Sequence, residues 1–206
     1  MADGDTFAGA VARSREISWR QRGIAAALKP PRAGTERGLV RAAQRGSATA
    51  FEELFRLHWP HAYRAAYLVV HDAAAAEDIA QEAFVAAQRA LARFDRRRPF
   101  APWLHRIVVN RAIDWSRARR LRAEAGAAAG RERLPEAGSP ESYPPEIVSA
   151  LAELAPDQRA VIVLRYLLEY TPGEIAELLE LPRGTVNSRL RRGLDTLGRR
   201  LAGGDE

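Results

Sequence analysis

Residues 171–200, TPGEIAELLELPRGTVNSRLRRGLDTLGRR, decide the fold of the carboxy-terminal part of this chain. The segment predicts two helices joined by a short turn. Thr171 stands three residues before Glu174, so its hydroxyl can accept the Glu174 backbone N–H while the Glu174 carboxylate accepts the Thr171 N–H, which starts a helix. Pro182 ends that helix, because proline disfavours helix in the residue before it and suits the first turn of the next helix.

The second predicted helix separates an apolar stripe from a basic face. Val186, Leu190, Leu194 and Leu197 recur at intervals of four, four and three residues, and six arginines stand against one acid between residues 183 and 200. This arrangement is typical of a helix-turn-helix whose second helix enters a DNA major groove. The residues expected to face DNA are Arg183, Thr185, Asn187, Ser188, Arg191 and Arg192.

Two features of this segment leave room for another interpretation. A helical hairpin with a solvated basic face has much the same charge pattern, although the combined capping box, small Ala176 and turn favour DNA binding. The turn position commonly filled by glycine is Glu180. A residue other than glycine held at positive φ costs roughly 1 kcal/mol.

Composition excludes several classes of function. The chain of 206 residues has no cysteine, which excludes disulfides, thiolate metal sites and a cysteine nucleophile. His58 and His61 are three residues apart without further ligand spacing, so we expect no metal and no cofactor. No apolar run approaches the roughly 18 residues of a membrane span, and no signal-peptide core opens the chain. We therefore expect a cytoplasmic protein without membrane contact.

The pattern along the chain predicts an all-α protein with two helical domains joined by a flexible linker. Residues 1–35 read as a flexible extension whose role is not legible, 36–122 as the first domain and 146–201 as the second. Residues 123–145, rich in Ala, Gly, Pro and Glu without an apolar stripe, read as the linker. Within the first domain, Thr49-x-x-Glu52 predicts a capping box and Pro60 predicts a kink or break near His58.

The helix predicted over residues 72–94 has an acidic first half in a chain of net charge +6. Asp78, Gln81 and Glu82 fall on one side of this helix. Acids near a helix amino terminus are favoured by the helix dipole. A row of acids in a basic protein also suits docking on a basic partner, and the local sequence leaves both interpretations open.

Cations and aromatic residues are interleaved between residues 94 and 122. The loop FDRRRPFAP, residues 94–102, has three consecutive arginines and Phe100, which we expect to face forward from the loop. The following helix carries six arginines against one aspartate and includes Trp103 and Trp115. Single-stranded nucleic acid requires such a mixture, because cations hold phosphates and rings stack on unpaired bases for roughly 1–3 kcal/mol each. Alternatively, both tryptophans belong to the core.

Three motifs in this order resemble bacterial RNA polymerase sigma factors of the sigma-70 family, extracytoplasmic-function group. They are AEDIAQEAF at 76–84, FAPWLHRIVVNRAID at 100–114 and EIAELLELPRGTVNSRLRRG at 174–193. The matching domains, sigma regions 2 and 4, cover roughly residues 36–201. The resemblance implies a factor, not itself an enzyme, that directs core polymerase to promoters and assists DNA melting. The implied partners are the clamp helices and flap of core polymerase and promoter DNA, both duplex and single-stranded, with an anti-sigma factor as a further candidate.

The resemblance also implies roles for individual positions. Asp78, Gln81 and Glu82 match the face that docks on the clamp helices of the largest polymerase subunit. The loop at 95–101 matches the element that captures a flipped minus-10 base, and the adjoining helix matches the melting surface. The minus-10 residues are Arg97, Arg98, Phe100, Trp103, Arg106, Asn110 and Asp114, although Asn110 is alternatively structural.

The helix-turn-helix residues at 183–192 match those that read the minus-35 element. Asn187 replaces the Lys or Arg more usual in the family, which implies an altered minus-35 preference. Gly193 replaces the usual Ala and should weaken the recognition helix by about 1 kcal/mol.

Two rival functions remain at this point. A conventional helix-turn-helix regulator would bind palindromic duplex and would not dock on polymerase. A nucleic-acid enzyme such as a recombinase would need a nucleophile with activating acids, and the motifs supply neither this set nor a phosphate-binding glycine loop. We therefore expect no catalytic residues.

Overall fold

The computed structural model of the chain describes residues 33–125 and 145–202, and every regular element in these ranges is helical. The predicted extension lies outside the described residues except for its last three positions, and the predicted linker lies outside them except for 123–125 and 145. No described helix is both long and apolar enough to cross a membrane. The α-helices are α1 (Ala33–Gln44), α2 (Ala48–Val70), α3 (Ala73–Ala90), α4 (Phe100–Glu124), α5 (Pro145–Ala152), α6 (Pro156–Ile162), α7 (Pro172–Leu179) and α8 (Arg183–Ala202), and a π-helical segment, Val163–Leu167, directly follows α6.

Helices α1–α4 form an amino-terminal bundle in which α2 contacts each of the other three. A 3-10 turn, Leu91–Arg93, follows α3. The inner face of α3 consists mainly of alanine, and four of these are fully buried. Small side chains let α3 lie close to α2 and α4, while Tyr67, Leu104 and Val108 fill the space between the longer helices. The fully buried alanines are Ala76, Ala80, Ala83 and Ala87.

The beginning and the middle of α2 differ from the sequence predictions. The N-cap is Ser47, whose Oγ accepts the Ala50 N–H at 3.3 Å, so the capping box predicted from Thr49 is wrong. Ser47 and Thr49, two residues apart, both carry a hydroxyl that can cap the helix, and Ser47 is the one that does so. The kink or break predicted near His58 is not a break, because α2 runs through Pro60 without interruption to Val70. Burial of the residues on the inner face offsets the roughly 3 kcal/mol that an internal proline costs.

Helices α5–α8 form a carboxy-terminal bundle that contains the helix-turn-helix, α7 and α8. The capping box of α7 is confirmed, since Thr171 Oγ1 accepts the Glu174 N–H at 3.3 Å and Glu174 Oε2 accepts the Thr171 N–H at 2.7 Å. The turn residue Glu180 has φ of 54°, in the left-handed region, as predicted. The apolar residues of the motif face inward, with Ile175 and Val186 fully buried.

Gly193 lies where α8 packs closely against α6. A Cβ atom added to Gly193 would lie 2.6 Å from Ile162 Cδ1 and 3.4 Å from Ile162 Cγ1. Real Cβ atoms essentially never approach another atom that closely, so Ile162 would have to move. The glycine therefore has a packing role in addition to its expected cost in helix propensity.

The two bundles share one continuous apolar core. Helix α2 contacts α5 and α6, and α4 contacts α6 and α7. Arg159 of α6, 8% exposed, donates from Nη1 to the Val69 carbonyl of α2 and from Nη2 to the carbonyls of Ala152 and Leu154. A buried guanidinium needs such carbonyl partners to offset its desolvation. The helix-turn-helix is thus packed against the amino-terminal bundle through α6 and α7.

Candidate nucleic-acid interface

Helix α8 presents a polar, cationic face to solvent. Arg183, Asn187, Arg191 and Arg192 are exposed, while Thr185 and Ser188 are half-buried. Ser188 Oγ donates to the Thr185 carbonyl at 2.9 Å, so its hydroxyl is engaged within the helix. The buried side of the helix is anchored by Val186 and Leu190. A helix held on one side with long cationic and amide side chains on the other has the form needed to reach base edges and phosphates.

The turn before α8 contacts the amino-terminal bundle. Glu180 Oε1 accepts from Arg106 Nη2 of α4 at 2.5 Å, and both side chains are partly exposed, 68% and 39% respectively. Arg106 was predicted to act in minus-10 recognition, and in this structure it pairs with a carboxylate of the helix-turn-helix. The two predicted DNA-binding elements are therefore in direct electrostatic contact.

Asp157, in the first turn of α6, makes a second polar link between α4 and α8. Its Oδ1 lies 2.6 Å from Arg117 Nη2 of α4 and 3.8 Å from Arg189 Nη1 of α8. One carboxylate thus offsets two cations on the two most basic helices of the described ranges. Like-charged helices would otherwise repel where they approach each other.

The arginine loop, which we define as residues 95–99, is a tight exposed turn. Arg98 N–H donates to the Asp95 carbonyl at 3.0 Å, and Asp95 Oδ1 accepts the Arg97 N–H at 2.9 Å. The side chains of Arg96, Arg97 and Arg98 all lie in solvent. Three adjacent cations on a short, internally bonded turn are well placed to bind a phosphate backbone.

Phe100 does not face forward from this loop, and that prediction is wrong. It is the first residue of α4, 1% exposed, with its ring 5.2 Å from the His58 ring and 5.9 Å from the Phe94 ring, centroid to centroid. Pro99 ends the loop in an extended conformation, so the loop ends three residues before its predicted end at Pro102. Phe100 fills the core and is not available to stack on a base.

The tryptophans and Asn110 occupy intermediate positions. Trp103 is half-buried, with its ring centroid 4.6 Å from that of Phe94. Trp115 is half-buried beneath Arg119, whose guanidinium lies 5.1 Å from the ring centroid. Asn110 is also half-buried. The tryptophans pack against the core as the alternative prediction held, and each keeps part of its side chain in solvent.

The acidic row on α3 is exposed, as its spacing predicted. Asp72 is the N-cap and accepts the Ala75 N–H at 3.0 Å, whereas Asp78, Gln81 and Glu82 lie beyond the first turn. The helix dipole acts mainly within the first turn, so it accounts for Asp72 and not for the row. A shallow cavity of about 380 Å³ lies between α3 and α4. Its lining includes Asp78, Glu82, Arg111, Asp114 and Trp115.

Asp114, predicted to act with the melting residues, lies beside the acidic row. It lines the same cavity as Asp78 and Glu82, and its nearest cation is Arg117 at 3.9 Å. Arg111 lies 3.8 Å from Glu82 across this cavity. The structure thus groups Asp114 with the predicted docking face. Within residues 33–125 and 145–202, no cluster of His, Asp or Glu is arranged to hold a metal ion.

Comparison with known proteins decides between the rival functions. The chain matches the family models for Sigma-70 region 2 over residues 54–122 and Sigma-70 region 4 over residues 146–197. It is 33% identical over 177 residues to the ECF RNA polymerase sigma factor SigW of Bacillus subtilis, an alignment that covers 79% of this chain and 94% of that protein. The chain belongs to the extracytoplasmic-function (ECF) group of sigma-70 factors. Members of this family are transcription initiation factors.

The solved structures that resemble this sigma factor include CnrH and RpoE. CnrH, solved in complex with the cytosolic domain of CnrY, is 29% identical, with a TM-score of 0.63 over 83% of this chain and 99% of that one. The sigma factor RpoE from Bartonella quintana, solved with the anti-sigma factor NepR, is 23% identical, with a TM-score of 0.62 over 76% of this chain and 98% of that one. At that identity, the second likeness shows the fold alone.

The contact between the two bundles of the sigma factor contains a buried histidine. His105 of α4 is 5% exposed, and its Nδ1 lies 2.8 Å from the Tyr170 hydroxyl. Burial, together with the nearby His58 and His61, lowers the pKa of His105 to about 3. Burial raises the pKa of Tyr170, with Glu174 and Glu36 adding to the effect. The pair is therefore neutral at physiological pH and acts as a hydrogen bond between the bundles.

Sequence reasoning missed Glu36 and Gln44 of the sigma factor's helix α1. Gln44 Nε2 donates to the carbonyls of Leu91 and Phe94, each at 2.9 Å, and Glu36 Oε1 accepts the Phe100 N–H at 2.9 Å. These contacts span 47, 50 and 64 residues of sequence, so no local pattern could have revealed them. Helix α1 also lies outside both matched family segments.

Proposed function

We propose that this sigma factor brings RNA polymerase core to promoters by reading duplex minus-35 DNA with α8 and holding single-stranded minus-10 DNA with α4 and the arginine loop. The observation that carries the proposal is the placement of three exposed surfaces on three different helices. The two surfaces on α8 and at the start of α4 are cationic, and the one on α3 is acidic. Each surface can then contact a different partner.

At minus-35, the exposed side of α8 supplies the contacts. Arg191 and Arg192 make no ion pair with any residue in the described ranges, so their guanidinium groups are available for guanine edges or phosphates. Asn187, exposed on the same helix, carries an amide that pairs well with adenine N6 and N7. An Asn where relatives more often have Lys or Arg therefore supports a preference for adenine at the matching base. The proposed set also keeps Arg183, Thr185 and Ser188.

At minus-10, Arg97 and Arg98 of the arginine loop, with Trp103, Arg106 and Asn110 on α4, form the proposed surface for the unpaired strand. Phe100 is excluded because it is buried, and Asp114 because it lies with the acidic row. Selective affinity for unpaired bases shifts the equilibrium from closed to open promoter without nucleotide hydrolysis. The protein is in this proposal a dissociable subunit and not a catalyst.

Docking on polymerase is assigned to Asp78, Gln81 and Glu82. Their exposure beyond the first turn of α3 supports an intermolecular role, since neither helix capping nor burial accounts for them. Acidic rows of this kind attract a basic surface and raise the association rate. The clamp helices of the largest subunit are the proposed partner, with the flap as partner of the carboxy-terminal bundle. An anti-sigma factor is a candidate further partner, and the site of action is the cytoplasm.

The experiment that tests this function is co-purification with core polymerase followed by run-off transcription from promoters that the holoenzyme selects from a random DNA library. The Arg192→Ala variant should bind minus-35 duplex more weakly by roughly 1–3 kcal/mol, with unchanged affinity for core polymerase. Arg199→Ala removes the same charge from the exposed far end of α8 and serves as the matched control.

A conventional helix-turn-helix regulator predicts a different outcome. It would bind palindromic duplex on its own and would not associate with core polymerase. Equal loss of polymerase binding and of minus-35 binding in Arg192→Ala would contradict the assignment of these activities to separate surfaces.

A further inference from the structure

Helix α1 holds both ends of the arginine loop. At the incoming end, the Gln44 amide donates to the carbonyls of Leu91 and Phe94, both at 2.9 Å. At the outgoing end, the Glu36 carboxylate accepts the Phe100 N–H at 2.9 Å. The two side chains come from one helix, so the separation of the loop's ends is set by the rigid spacing of α1.

The outgoing end of the loop has no side-chain cap of its own. The N-cap of α4 is Pro99, which makes no side-chain hydrogen bond, and the first-turn N–H groups of a helix have no partner within it. Glu36 satisfies the Phe100 N–H in place of a cap residue. A carboxylate at this position is also favoured by the helix dipole.

Glu36 is itself held in place. Its side chain is 12% exposed, and its Oε2 lies 3.6 Å from His58 Nε2. The His58 ring packs on the Phe100 ring with centroids 5.2 Å apart. Burial alone would raise the pKa of Glu36, but His58 and the backbone N–H groups of Phe100 and Ala101 hold that pKa below its ordinary value. The carboxylate therefore stays charged and oriented.

We propose that Glu36 and Gln44 are positioning residues for minus-10 recognition, fixing the loop that presents Arg96, Arg97 and Arg98 without contacting DNA themselves. This inference rests on the proposed function of the loop. A loop that is already ordered loses less conformational entropy on binding a strand, so its affinity is higher than that of a mobile loop with the same cations. Besides the short turn formed by Asp95 and the burial of Phe94 and Phe100, the side chains of α1 fix the path of the loop.

The test uses full-length holoenzyme and two probes taken from a promoter that the wild-type holoenzyme has selected. One probe is the nontemplate single strand with the minus-10 segment, and the other is the duplex minus-35 segment. Gln44→Met keeps the length of the side chain and removes its donors. We expect about fivefold weaker single-strand binding, in line with the loss of a hydrogen bond, and unchanged affinity for the duplex probe and for core polymerase.

Two further variants separate positioning from general stability. Gln44→Lys supplies N–H donors to the same carbonyls and should restore most of the single-strand affinity. Gly38→Ala adds a methyl group on the exposed part of α1, where nothing lies within 4 Å, and should raise helix stability. The double variant Gln44→Met with Gly38→Ala should recover its melting temperature and keep the single-strand defect. Recovery of both together would overturn the proposal.

Glu36→Gln and Glu36→Ala provide the second arm. Glutamine keeps a carbonyl acceptor for the Phe100 N–H and loses the charge, so single-strand binding should fall less than with alanine. If the wild-type holoenzyme binds the single strand and all Glu36 and Gln44 variants match it, the positioning role is refuted while the proposed function stands. A wild-type holoenzyme that ignores the single-stranded probe would refute the proposed function itself.

Discussion

Replacing Glu180 by glycine should leave the sigma factor equally or more stable while releasing Arg106. Glu180 holds φ of 54° in the turn of the helix-turn-helix. Glycine adopts this left-handed conformation without strain, so the substitution should stabilise the folded state by roughly 1 kcal/mol. The lost ion pair with Arg106 is partly exposed, with side-chain exposures of 39% for Arg106 and 68% for Glu180. Pairs of that kind contribute roughly 0–1 kcal/mol. The free energy of unfolding should therefore rise by about 0–1 kcal/mol.

Urea denaturation of the wild type, Glu180→Gly and Glu180→Gln separates the backbone strain in the turn from the contribution of the ion pair with Arg106. Glu180→Gln keeps the left-handed strain and loses the charge, so its stability should fall by no more than about 1 kcal/mol. The difference between Glu180→Gly and Glu180→Gln should be roughly 1 kcal/mol, the strain in the turn. Both variants should bind single-stranded DNA more tightly than wild type at low salt, because Arg106 is free. A glycine variant less stable than the glutamine variant would refute the strain argument.

The remaining predictions concern pH, packing and capping. His71 and His105 have pKa values lowered from 6.5 to about 3 in the folded chain. As the pH falls, the unfolded chain therefore takes up protons at these histidines before the folded chain does. The free energy of unfolding should be constant above about pH 6.5 and should fall below it, by up to about 1.4 kcal/mol per pH unit for each histidine. Denaturation at several pH values measures this fall. Gly193→Ala should change stability by less than about 1 kcal/mol, because displacement of Ile162 cancels the gain in helix propensity; a gain equal to that of Gly38→Ala would contradict the close packing. Thr171→Val should lower the free energy of unfolding by about 1 kcal/mol, because the helix loses its N-cap. The melting temperature should fall accordingly, and an unchanged value would contradict the capping role of Thr171.

Features determined by neighbouring residues were predictable from the sequence. The Thr171 capping box and the left-handed Glu180 depend on contacts a few residues apart, and both are confirmed. Capping failed at Thr49 because Ser47 competes for the same role. At Phe100, the spacing of arginines suggested a loop tip, whereas packing against His58 places the ring in the core.

Contacts between distant segments account for the rest. The arginine loop was recognisable by its charge, but the side chains of Glu36 and Gln44 that hold its ends come from more than 40 residues away in the sequence. The linker composition predicted two helical domains, and both are present, but it gave no indication that α2 and α4 pack against α5, α6 and α7. The composition of residues 123–145 describes only the linker. The packing between the two bundles depends on side chains before and after the linker, such as His105 and Tyr170.

The guanidinium of Arg159 affects any study that divides this protein at residues 126–144. Val69 carbonyl oxygen accepts from Arg159 and, at a longer 3.4 Å, from Ser116 Oγ. A fragment that ends before α5 keeps only the weaker donor and exposes apolar surface of α2 to water. The complementary fragment leaves a cation without one of its acceptors. Fragments should therefore be less soluble and less stable than the whole chain. The DNA-binding free energies of the two fragments should not sum to that of the intact protein.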